Sequence, residues 1–241
     1  MYGASAVEAY GRIAGRAQDL RDAFVPGAMP LHDDVAGATR AFATHDPLSA
    51  TLPSDAWLVT RGSDGRRAYV RDAALTLDDG VLRARDGAEV LGYPAGDARG
   101  AVPVPLRVPD ADRALGRAAD ARIEPDGTVA YARAAIDPRT GERSLERMTI
   151  GRVALARFPA GTQPARLDAA HVAAPPGVAP HLGTPADGTF AAIAPMSRDA
   201  GSIDFDAGVE RLNESYRQFQ ALGAAVRSRA SVEKTTLDLV K

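Results

Sequence analysis

Residues 56–93 read AWLVTRGSDGRRAYVRDAALTLDDGVLRARDGAEVLGY. The stretch breaks into short runs rich in β-branched, aromatic and aliphatic residues: Ala56–Thr60, Arg67–Arg71, Ala74–Leu77, Val81–Ala84 and Glu89–Leu91. Asp64-Gly65, Asp79-Gly80 and Asp86-Gly87 fall between them. Glycine takes a positive φ without a Cβ clash, and aspartate bonds the backbone beside it, so an Asp-Gly pair closes a hairpin at little cost. The pattern continues through Val102–Val108, Ala121–Glu124, Thr128–Ala132 and Thr149–Phe158, with another such turn at Asp126-Gly127. Short strands at spacings near ten residues, with no alternation of strand and helix, predict an antiparallel β domain. It is placed at residues 50–200. Within it, residues 159–190 are rich in Pro, Gly and Ala, as in Ala174-Pro175-Pro176-Gly177. That composition predicts a surface excursion with few regular backbone hydrogen bonds.

On either side the period changes from two to that of a helix. From Ala4 to Phe24, the residues Val7, Tyr10, Ala14, Ala17 and Phe24 form one apolar stripe, ended by Pro26-Gly27. Residues 25–52 are mixed and read as a connector, with a short helical turn near Asp34 to Phe42. From Asp204 to Lys241, Val209, Leu212, Tyr216, Phe219, Val226, Leu237 and Val240 fit one heptad frame, the seam of a coiled coil. Gly223 interrupts it at a cost of about 1 kcal/mol. Acids gather at the start of this segment and Arg227, Arg229, Lys234 and Lys241 toward its end, as the helix dipole favours. The expectation is a mainly β chain with flanking α: a central antiparallel domain, plus amphipathic helices at 1–45 and 204–241 forming a coiled-coil-like terminal domain. Each apolar stripe must pair with the other helix or with neighbouring molecules.

Composition excludes several classes. The chain has 241 residues, 45% hydrophobic and 25% charged, with a net charge of −2. Nothing here is basic enough to predict nucleic-acid binding. No apolar run of about 18 residues predicts membrane insertion. Charges scattered through residues 1–24 do not resemble a cleaved signal peptide. Cysteine is absent, so disulfides and thiolate chemistry are excluded. His32 and His45 are followed by aspartates, yet no His-x-x-x-His or His-Glu-x-x-His spacing brings two ligands together. His171 and His181 fall in the excursion, where a ligand would be poorly held. Gly11-Arg12-Ile13-Ala14-Gly15 lacks the Lys-Ser/Thr of a phosphate loop, and no serine sits in Gly-x-Ser-x-Gly. The reading is a non-enzyme without catalytic residue, cofactor or metal.

Together, Ala56–Thr60, Tyr69-Val70-Arg71-Asp72, Leu75–Leu82 and Gly87–Tyr93 resemble the signature that opens the central β domain of bacterial flagellar rod and hook proteins, nearest to the proximal-rod type. Ile123–Val129 and Ile150–Phe158 are similar to later strands of that family. The matching scaffold positions are Trp57, Tyr69, Arg71, Asp72, Gly80, Gly87, Gly92, Gly127, Gly151 and Phe158. Phe24–Pro30 contains no asparagine where the family carries an Asn-rich box, and position 73 is Ala where the family commonly has Gly. The resemblance implies a structural axial protein of the flagellar basal body. It would leave through the flagellar export apparatus without a cleaved signal, cross the periplasm and assemble through its terminal helices with rod or hook subunits. In the family these helices form an inner coiled-coil tube. The second reading is a β-domain module that binds a partner or glycan and carries helical arms.

Overall fold

The computed structural model describes residues 2–31, 36–37, 40–96, 102–114, 118–136, 139 and 143–239. The chain divides into two compact units. One comprises Met1–Val25, Met29–Ala38 and Ser202–Lys241; the other comprises Pro26–Ala28 and Thr39–Gly201. Three helices lie among the described residues: α1 (Tyr2–Asp22), α2 (Asp110–Ala114) and α3 (Phe205–Leu239).

The larger unit holds the strands. They are β1 (Ala41–Ala43), β2 (Ser49–Thr51), β3 (Trp57–Arg61), β4 (Arg67–Val70), β5 (Ala73–Asp78), β6 (Val81–Ala84), β7 (Glu89–Pro94), β8 (Val104–Pro105) and β9 (Ala118–Ile123). Then come β10 (Thr128–Ile136), β11 (Arg143–Val153), β12 (Leu155–Arg157), β13 (Ala165–Arg166), β14 (His171–Ala173), β15 (His181–Gly183), β16 (Ala194–Pro195) and β17 (Ser197–Asp199). Fifteen of these form one sheet, and β1 pairs with β17 in a second. Strand β3 is central. It pairs antiparallel with β4 along one edge, and along the other with β7 at Thr60-Arg61 and with β12 at Trp57-Leu58. Trp57, Leu58, Val59 and Thr60 are all buried, so the strand reads as a continuous apolar run rather than an alternating one. Leu58, Leu75, Leu82, Val90, Leu106 and Leu155 meet in the core.

The Asp-Gly pairs do the work their chemistry predicts. Asp79 and Gly80, at φ 45° and 71°, are the two residues between β5 and β6, the positive-φ pair a two-residue hairpin requires. At Asp64, Asp86 and Asp126 the carboxylate accepts the N–H two residues on, from Arg66, Ala88 and Thr128. The run Val102–Val108 forms only the short β8, because Pro103, Pro105 and Pro109 supply no N–H to a ladder.

Two segments carry more structure than their composition predicts. The connector contributes β1 and β2. The Pro/Gly-rich excursion is tied into the main sheet: β14 pairs with β4, β13 with β14, and β15 with β12. Strands of two or three residues have too little periodicity to read. They form because neighbouring strands offer unpaired backbone groups.

The expected coiled-coil-like terminal domain is not what the fold contains. The described chain is mostly β, with a short α1 and a long α3. At 21 and 35 residues the helices span about 31 and 52 Å. Leu20 lies against Gly208, where an added Cβ would come within 2.8 Å of Leu20 Cδ2. The Phe24 and Phe205 rings sit 5.3 Å apart. The end of α1 therefore meets the start of α3, and the helices pack antiparallel through a small-residue stripe rather than the heptad seam. Asp204 starts α3 as its N-cap, accepting the Ala207 N–H at 3.1 Å. The helical turn expected near Asp34 is not formed at 41–43, which is β1; residues 34, 35, 38 and 39 lie outside the described residues.

Candidate functional site

In the helical unit, the buried side of α1 is formed by Ala9 and Ile13, with Ala17 and Leu20 half-buried. On α3, Gly208 and Ser215 are buried, and Leu212, Leu222 and Gly223 are half-buried. The Ser215 hydroxyl is satisfied by donating to the Arg211 carbonyl at 2.9 Å, so burying this serine strands no donor of its own.

The stripes expected to pair with the other helix or with neighbouring molecules are for the most part not the ones that close α1 on α3. On α1, Val7 is 72% and Tyr10 66% exposed; Ala14 is exposed too, and Ala17 is half-buried. On α3, Tyr216 is 48% and Phe219 39% exposed, with Val209 and Val226 likewise open. Leu212 alone among the described α3 seam positions is partly covered. The side chain of Leu237 and all of Val240 lie outside the described residues. The helical unit thus closes on Ala9, Ile13, Gly208 and Ser215 and leaves Val7, Tyr10, Val209, Tyr216, Phe219 and Val226 open.

The signature positions of the β unit are scaffold. Trp57 and Tyr69 are buried, and both meet the Phe158 ring edge-on, at 6.3 and 5.2 Å. Arg71 donates from Nη1 to the carbonyls of Pro53, Ser54 and Ala56 at 2.7, 2.9 and 2.8 Å. Its Nη2 reaches Asp199 at 3.1 Å, and its guanidinium lies 5.8 Å from the Trp57 ring centroid. Asp72 pairs with Arg198 at 2.6 Å. Gly92 and Gly151 sit where β7 meets β11, and an added Cβ at either would fall inside 2.5 Å of a backbone oxygen across the pair. Gly127, at φ 77°, lies under Pro185, and Gly87, at φ 89°, opens to solvent.

Sequence reasoning sets His171 aside as poorly held in the excursion, whereas the structure gives it two carboxylate partners. It is half-buried, with Nε2 2.8 Å from Asp86 and Nδ1 2.8 Å from Asp168. The hydrogen bond to Asp86 leads, outweighing burial, and with Asp168 it pushes the imidazole up to about 9. His171, the two aspartates, Arg66 and Arg67 line a shallow cavity of about 310 Å³. With both ring nitrogens engaged by carboxylates, the imidazole fastens β14 to the β6–β7 turn and has no lone pair for a metal. No feature of the sequence places Asp86 beside His171; only the return of β14 onto β4 does that. His181 stacks on Phe190 with centroids 6.0 Å apart. His45 is exposed, and His32 lies outside the described residues. Among the described residues no group of three His, Cys, Asp or Glu side chains could hold a metal, and no helix is long and apolar enough to cross a membrane.

No protein-family model matches the chain, and a search of curated proteins returns no match.

Proposed function

We propose that the chain is a structural axial protein of the flagellar rod type, acting by assembly with copies or paralogues through its terminal helices. The observation that carries this reading is the exposed apolar face of α1 and α3, with Val7, Tyr10, Val209, Tyr216, Phe219 and Val226. The resemblance over residues 56–158 supports it. The positions that carry the resemblance serve turns, close strand approach and buried anchoring, as expected of a body that must transmit load without chemistry. On this reading the partners are rod or hook subunits and the export apparatus, and the site of action is the basal body, across the periplasm. The alternative, a glycan- or partner-binding β module, finds less support, because the aromatics such a site would stack, Trp57 and Tyr69, are in the core.

Incorporation is the test. In a flagellated host lacking the gene, the wild-type chain restores basal bodies and swimming. A Tyr216→Asp/Phe219→Asp variant folds and is exported but does not join the rod. Full swimming with that variant overturns the reading.

A further inference from the structure

The apolar face of α3, open except at the half-buried Leu212 and Gly223, has an internal symmetry. Phe205, Val209, Leu212, Tyr216, Phe219, Gly223, Val226 and Ala230 succeed one another at steps of four and three. Turned end for end about a point between Arg217 and Gln218, the stripe maps onto itself: Val209 falls on Val226, Tyr216 on Phe219, and Leu212 on Gly223. Large side chains meet small ones or offset aromatics, the pattern that lets two helices interdigitate.

The two edges of the stripe differ. One, formed by Gly208, Ser215 and Leu222, is covered. The other carries Asp206, Asn213, Gln220 and Arg227, seven residues apart and all exposed. With the axis there, Asp206 comes within two residues, about 3 Å along the helix, of the level of Arg227, and Asn213 comes as close to Gln220, twice each per pair. A parallel, in-register arrangement instead levels Asp206 with Asp206 and Arg227 with Arg227, placing like charges together.

We propose that α3 is the docking surface for a second copy of this chain, the two helices pairing antiparallel about a two-fold axis near Arg217. The contact is isologous, so it closes on itself rather than propagating. This inference does not rest on the axial-protein reading. In an axial protein such a pair would be the resting form that covers the assembly face until export.

The experiment uses the full chain. Sedimentation equilibrium of the wild type shows a monomer–dimer equilibrium. Asp206→Arg and Arg227→Asp each weaken the dimer roughly threefold to tenfold with unchanged helix content, and the double swap Asp206→Arg/Arg227→Asp restores it. The chain has no cysteine, so orientation can be read by linking. Asp206→Cys mixed with Arg227→Cys is joined by a short bismaleimide, whereas neither variant links to itself, since antiparallel copies hold equivalent positions about 32 Å apart. A monomer at every concentration, self-linking of Asp206→Cys, or a double swap no tighter than its single parents overturns the proposal. Dimerisation is read on purified protein and rod incorporation in cells, so the two readings fail separately.

Discussion

Arg71 and Asp199 form a buried ion pair, with Nη2 and Oδ2 3.1 Å apart, between residues 128 positions apart in the chain. Their neighbours repeat the contact in reverse, Asp72 accepting from Arg198 at 2.6 Å. The dipeptide Arg71-Asp72 after β4 is thus matched by Arg198-Asp199 in β17. Burying these charges is tolerable because each guanidinium nitrogen donates: Nε and Nη2 to Asp199 and Nη1 to three carbonyls, while Asp199 Oδ1 accepts the Gly201 N–H at 2.8 Å. Asp199→Ala should therefore cost the β unit about 3–5 kcal/mol, the usual penalty for stranding a buried charge. Asp72→Ala, at a more accessible pair, should cost less. Urea denaturation of the two variants measures the difference, and equal costs would show that the outer pair shares the load.

Gly92 and Gly151 make a second, purely steric prediction. A Cβ on Gly92 would come 2.2 Å from the Arg152 oxygen, and one on Gly151 would come 2.4 Å from the Tyr93 oxygen. Backbone cannot move aside as a side-chain tip can. Gly92→Ala and Gly151→Ala should each lose about 3 kcal/mol, the upper end of overpacking penalties. Gly87→Ala meets open space and should lose only the positive-φ cost of about 1–2 kcal/mol. Thermal melts of the three variants should rank in that order.

His171 gives the β unit a pH signature. Its folded pKa, about 9, lies above the unfolded value near 6.5. The clasp therefore contributes fully below about pH 6.5, and its contribution drains away as pH rises toward 9. At the acid end the opposite holds. The bond from His171 keeps Asp86 below the ordinary carboxylate range, so its contribution is lost as pH falls through that lowered value. Stability measured from pH 6 to 10 should decline in the wild type and flatten in His171→Gln. A His171→Gln variant that kept the same decline would assign it elsewhere.

How much of this was legible in the sequence depended on whether the interactions are local. Turns at Asp79-Gly80 and Asp126-Gly127 are written in adjacent residues, and the strands they join could be placed. The short strands β14 to β17 could not, because they pair with strands far along the chain and their own composition favours loops. The His171 clasp was missed for the same reason. For the helices, the period and an apolar stripe are legible, whereas the stripe that joins α1 to α3 is not. The frame was judged by hydrophobicity, which favoured Tyr216 and Phe219, whereas α1 settles where Gly208 and Ser215 permit close approach. Small residues are silent on a hydrophobic scale yet decide where two helices can touch.

That distinction separates two substitutions that the sequence alone treats as equivalent. Leu212 is half-buried beside the stripe that closes on α1, whereas Phe219 is 39% exposed on the open face. An aspartate at 212 must be desolvated against apolar neighbours, so Leu212→Asp should loosen the α1–α3 pair and lower helix content by circular dichroism. Phe219→Asp keeps its charge in water and should change stability by no more than about 0.5 kcal/mol, as exposed substitutions do, while abolishing self-association. If Phe219→Asp instead melts the helices together with Leu212→Asp, the aromatic is serving its own chain, and the open face is not a contact surface.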